Sequence, residues 1–239
     1  MPMTPRRNTV RAVRAVTRIV LHECLGSPGM RLTVILLLVA GIAAAILAPL
    51  WLDPAGAVLA AALAPQIAAL VILMSFVTGP MARDLAAGTT LALRVTAVTT
   101  RQIAHGTAAA LTIVTLPIAL LTAGIALAST GSWPSLPGWL AIVLLSPALA
   151  ATLILITVAI ALRGALDQAL IVPWIATMLV GTTIVLLAAL ADMPADGWGT
   201  ATIIAVAAVC GGLAVIAVLP ANTPPPGGSG APLGPTSSA

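Results

Sequence analysis

The chain has no lysine. Ten arginines carry all of its side-chain basic charge other than histidine, and six acids oppose them. Without a lysine the phosphate-cradling motif G-x-x-x-x-G-K-[ST] cannot be written, so this chain cannot hydrolyse ATP through a P-loop. Charge is scarce altogether. Only 7% of the 239 residues are charged, against roughly a quarter in a soluble domain. That deficit excludes a water-soluble fold and makes the bilayer the solvent. Cysteine is almost absent as well. Cys24 and Cys210 stand far apart, with no C-x-x-C, no C-x-x-C-H and no zinc spacing. They read as two inert small side chains, not as a disulfide framework or a metal site.

The apolar stretches hold almost no ionisable side chains. Gln66, beside Pro65, is the one strongly polar residue well inside such a stretch, and it is the candidate pathway residue. His22 and His105 have no carboxylate, cysteine or second histidine at ligand spacing, so no metal site is expected. There is no Ser-His-Asp arrangement and no H-E-x-x-H. An intramembrane hydrolase is disfavoured. A proton-coupled transporter is disfavoured too, since no buried carboxylate could carry the proton.

What is present is a set of long apolar runs. A helix needs roughly 20 apolar residues to cross about 30 Å of hydrocarbon. Six segments qualify, at about residues 32–50, 55–79, 103–129, 138–162, 166–191 and 199–219. The arginines lie at residues 6–31, 83–101 and 163, and the alternate loops carry acids or no charge. By the positive-inside bias, the arginine stretches and both termini are cytoplasmic, and Asp53, Asp192 and Asp196 lie outside. Trp51, Trp133, Trp139 and Trp198 then fall at the outer interface, where an indole is half buried and half wet; Trp174 is the exception, within the fifth span. A net charge of +4 and a basic isoelectric point could suggest nucleic acid. The arginines flank apolar spans and are not interleaved with aromatics, so a basic rim facing anionic lipid is the better account, and no nucleic-acid partner is expected.

The expected organisation is all-α: an N-terminal cytoplasmic segment (1–30), a six-helix transmembrane domain (31–220) and a disordered cytoplasmic tail (221–239) of Pro, Gly, Ser and Thr. Arg6-Arg7 resembles a twin-arginine signal. The apolar run begins only near Leu32 and is too long for a signal h-region, so it reads as a retained span. Asp53-Pro54 has the form of a helix start, with aspartate as N-cap and proline in the first turn. Pro65, Pro117, Pro147 and Pro173 fall inside spans, where neighbouring helices can re-satisfy the freed carbonyls.

Two cytoplasmic pieces carry most of the information. Arg7, Arg11, Arg14 and Arg18 are spaced 4, 3 and 4, one stripe of a helix, with Val13, Val16, Ile19 and Val20 mostly opposite. This predicts a basic helix lying in the membrane interface, ended by the turn Gly26-Ser27-Pro28-Gly29. The inner loop 80–102 holds Arg83, Arg94 and Arg101, one acid, Asp84, and regularly placed apolar residues. It reads as a short helix presenting a surface to a cytoplasmic partner. Arg163 and Asp167, four apart, form a local pair in the next inner loop.

The order Asp84, Gly88-Thr89, Leu91, Leu93, Arg101-Gln102-Ile103 resembles the membrane subunits of ABC-2 type exporters, as do the N-terminal interfacial helix and the six spans. The chain departs from that pattern where Leu91 or Ala92 replaces an acid, where Ala97-Val98 lacks a proline and where Thr107 replaces a common lysine. Ser146-Pro147-Ala148-Leu149 and Arg163-Gly164 are also similar to the haem-exporter membrane subunit of cytochrome c biogenesis. The resemblance implies a permease of a bacterial inner membrane. The inner loop would be a coupling helix docked in a separate ABC ATPase, which would bind the ATP and magnesium; this chain would hold no cofactor. A second permease copy or paralogue would complete the pathway, for a hydrophobic or amphipathic substrate. The rival class is a non-transporting integral membrane protein, acting in assembly, immunity or anchoring; a secondary transporter ranks third.

Overall fold

The computed structural model describes residues 5–87, 98–163, 166–175 and 177–178. Every element among them is helical: α1 (Pro5–Gly26), α2 (Pro28–Leu47, tightened into a 3-10 turn Ala48–Leu50), α3 (Pro54–Phe76), α4 (Ala82–Ala86), α5 (Thr100–Ser129), α6 (Leu136–Leu140), α7 (Ser146–Leu162) and the short apolar α8 (Leu166–Ile175). Four continuous helical stretches are long and apolar enough to cross a membrane: Pro28–Leu50, Gly56–Asp84, Thr100–Ser129 and Gly138–Leu162. The chain is thus a helical membrane protein. The expected sixth span, most of the fifth, Trp198 and the tail lie outside the described residues.

Local chemistry sets the helix starts. Ser27 is the single residue between α1 and α2; its extended backbone turns the chain, and Pro28 opens α2. The Asp53 carboxylate accepts from the Gly56 N–H at 2.7 Å and caps α3. Thr99 and Gln102 form a reciprocal capping box at the start of α5. The Gln102 N–H donates to Thr99 Oγ1 at 3.2 Å, and the Thr99 N–H donates to Gln102 Oε1 at 2.9 Å.

Prolines shape the spans without ending them. The second span runs on past residue 79, its expected end, through a wide π turn (Val77–Met81) that contains Pro80, and on into α4. The fourth begins as α6, passes a second π turn (Ala141–Leu145) and enters α7 just before Pro147. A proline lacks the N–H of the normal helical ladder, and a wider turn is one local adjustment to that loss. Pro65 and Pro117 sit in uninterrupted helix.

Helix α5 is the hub: α1, α2, α3 and α7 all pack on it. The main core joins Val16, Val20 and Cys24 of α1 to Ile72, Leu73 and Phe76 of α3, Leu111 of α5, Ile154 and Val158 of α7, and Ala169 of α8. A second cluster packs Val58, Leu127, Ile142 and Leu149 at the other end of the bundle, and a third gathers Ala45, Ala48 and Ala126 nearby. The arginine-bearing helix ends therefore lie together; at the opposite end Trp51 and Trp133 lie on the short connections and Trp139 lies in α6, where the fourth span begins.

Candidate functional site

The arginine end is assembled around α1. Val16, Val20 and Cys24 are spaced by four and buried, whereas Arg11, Arg14 and Arg18 are exposed on the opposite side of the helix. Ile19, expected with the valines, is instead 48% exposed, because it lies well round the helix from the Val16–Cys24 line. Arg7 belongs to α1, and its side chain is outside the described set.

The seat of α1 is Gly106, near the start of α5. A Cβ there would lie 2.6 Å from Val16 Cβ and 3.0 Å from the Val13 carbonyl oxygen, so only glycine allows this approach. Thr17 Oγ1 lies within hydrogen-bond distance of both the Gly106 oxygen (3.1 Å) and the Val13 oxygen (2.9 Å). The other end of α1 is held by α2, where Arg31 Nε donates to the Leu25 carbonyl. A cation there also answers the partial negative charge of the helix C-terminus.

Helix α4 brings its acid to the same place. Asp84 is half-buried and its neighbour Arg83 exposed. Burial first, and then the Asp84 carboxylate, hold the Glu23 carboxyl above the ordinary carboxylate range, with His22 opposing. Burial and the Glu23 charge push the Cys24 thiol up to about 12, so it is a protonated, unreactive packing group at neutral pH. Arg101 is exposed on the first turn of α5, and its carbonyl accepts from His105 Nδ1 at 2.7 Å. Ile103 is buried against the main core.

Of the sequence-derived coupling residues, Arg83 and Asp84 lie within α4 and Arg101 on the first turn of α5. Gly88, Thr89, Leu91, Leu93 and Arg94 lie outside the described residues. Among the interface tryptophans, Trp51 and Trp133 are strongly exposed and Trp139 partly so. Among the described residues, no three His, Cys, Asp or Glu side chains converge as metal ligands.

Gln66 is 2% exposed. With its Nε2 turned to the carbonyls of Ala62 and Leu63, it donates to each at 3.0 Å while Oε1 accepts from Ser146 Oγ at 3.1 Å. The amide is spent on joining α3 to α7 beside Pro65. It does not line the apolar cavity of about 230 Å³ that its neighbours Ala64 and Ile67 help to form. A second cavity, of about 390 Å³, lies between His105, Thr112 and Ile113 of α5 and Ala151 and Leu155 of α7.

Two parts of this arrangement were missed in the sequence. Gly106 looks like one more small residue in an apolar run, and only its pairing with a valine from a distant helix reveals its role. Ser146 stands in the sequence as part of a motif, and its partnership with Gln66 joins residues 80 positions apart. Compared with known protein families, curated proteins and solved structures, the chain matches none.

Proposed function

We propose that this chain is the membrane-spanning permease subunit of an ABC-2 type exporter in a bacterial inner membrane. In this reading residues 80–102 form the coupling segment, gripped by a separate ATPase that binds ATP and magnesium, and a second permease copy or paralogue completes the pathway. The proposal takes six spans with both termini cytoplasmic, and α1 lies in the interface with Arg11, Arg14 and Arg18 toward anionic headgroups.

The observation that carries it is how the two ends of the segment are held. Helix α4 at its start continues from α3, the Thr99–Gln102 capping box at its close opens α5, and α1 reaches toward both, its Glu23 carboxyl raised in part by the Asp84 charge and its Val16 seated on Gly106. A push on the segment would move the second and third spans and α1 as one unit. The apolar cavity between α5 and α7 supports a hydrophobic or amphipathic substrate over a sugar or an ion.

The test is co-purification from the native membrane with mass spectrometry, followed by Gly88→Asp, Leu91→Asp and Leu93→Asp. An ATPase with Walker motifs should accompany the wild type and be lost from these variants. If it stays bound in all three, the coupling assignment fails; if none accompanies the wild type, the assembly, immunity or anchoring class takes its place.

A further inference from the structure

The cavity between α2, α3 and α5 has a shape that selects its guest. On α2 its wall runs from Leu37 through Gly41 and Ala44 to Ala48, a rise of about 16 Å along the axis. That is half of the ~30 Å hydrocarbon thickness, so the cavity spans one leaflet. It starts near mid-span and ends beside Leu52, at the tryptophan end. Ala44 and Ile67, both exposed, flank its mouth toward the surroundings of the bundle. Among the described residues of the lining Thr122 has the only polar side chain, and its hydroxyl already donates to the Ala119 carbonyl at 3.0 Å. None of these described side chains is free to bind a hydroxyl, an amide or a charge. An apolar cavity of this kind excludes water and admits hydrocarbon.

The helices around it are held apart at fixed points. Helix α2 touches α5 where a Cβ on Gly41 would meet Thr122 Cγ2 at 2.6 Å, and Ser129 Oγ donates to the Ala45 carbonyl at 2.7 Å. It meets α3 at the Thr33–Ser75 hydroxyl pair, 3.0 Å apart. Beyond the cavity, the outward face of α2 exposes Leu32, Ile35, Leu36, Val39 and Ile46. We propose that the cavity lodges one acyl chain of a phospholipid from the leaflet at the tryptophan end, which completes the packing of α2 on α3 and α5. The site requires only the membrane-spanning helices, and it stands or falls apart from the transport reading.

The test uses the full chain in phosphatidylethanolamine–phosphatidylglycerol vesicles containing a trace of phosphatidylcholine with a diazirine on one acyl chain, with no nucleotide or partner present. Irradiation should place adducts on cavity residues such as Gly41 and Ala64 as well as on Leu36 and Val39 of the outer face. Ala64→Leu, which fills the cavity, should lower the cavity adducts about tenfold, a 1.4 kcal/mol effect, and leave those at Leu36 and Val39 unchanged. Ala44→Leu fills the same space from the opposite wall and should reproduce the loss if the first variant does not insert. Cavity adducts that persist in both variants, or wild-type adducts confined to Leu36 and Val39, would overturn the assignment.

Discussion

Helices α2 and α3 are both strongly apolar spans and sit side by side, yet they occupy different environments. Only 11% of the α2 span's most apolar window is buried within the bundle, against 61% for the span built on α3. In water the more apolar helix goes inside. In lipid that ordering fails, because acyl chains are as apolar as leucine and give no hydrophobic drive between helices. Close packing and polar clasps decide instead. Helix α3 has Gln66 locked to Ser146 and faces of alanine against α5 and α7. Among the described residues, helix α2 meets α3 through one hydroxyl pair and α5 through a serine–carbonyl bond and a glycine contact, and turns its leucines outward.

The sharpest way to break this contrast is to truncate one leucine on each helix. Leu73 of α3 is fully buried and Leu36 of α2 is 58% exposed. Leu73→Ala should lower stability by about 2–3 kcal/mol through the cavity it leaves. Leu36→Ala should stay within about 0.5 kcal/mol. Reversible unfolding in mixed micelles compares the two, and equal losses would erase the distinction between the helices.

A smaller effect sharpens it. Gln66→Ala removes the clasp between α3 and α7 and should cost about 1–2 kcal/mol, the upper range for polar contacts between membrane helices. Thr33→Val removes the α2–α3 hydroxyl pair and should cost about 0.6 kcal/mol, the average for such contacts. The ranking of the two melting temperatures in one detergent is the readout.

The smallest effect is at the arginine end. Glu23 has its folded pKa raised above the ordinary value of 4.5, so the fold favours its protonated form. The stability this contributes is fully present below the unfolded value and is lost as pH rises through the raised one. Because the group is substantially exposed, the slope should amount to less than about 1 kcal/mol. Thermal unfolding followed across that window should show a shallow decline with rising pH, which Glu23→Gln removes. A slope that survives the substitution would assign it to other groups.

Much of this architecture was legible in the residues. The long apolar runs announced membrane-crossing helices, Asp53-Pro54 announced a helix start, and Gly26-Ser27-Pro28 announced the turn after α1, because caps and breakers act over three or four residues. The continuation of the second span through Pro80 was not legible. Proline ends helices in water, whereas packing against neighbours carries this one on. Nor could the seat of α1 be read: Thr17 and Gly106 are distant in sequence, and their meeting depends on how α5 is oriented in the bundle. At the candidate site the two ends of the coupling segment could be placed, whereas Gly88 to Arg94 rest on the sequence pattern alone.

The bond between Thr17 and Gly106 joins residues 89 positions apart. At ordinary translation rates, α1 leaves the ribosome about 4–18 s before its seat exists. During that interval Val16, Val20 and Cys24 have no partner on α5. Some transient host, the insertion machinery or the bilayer surface, must shelter that strip until the third span arrives, so the first helix made is among the last to settle.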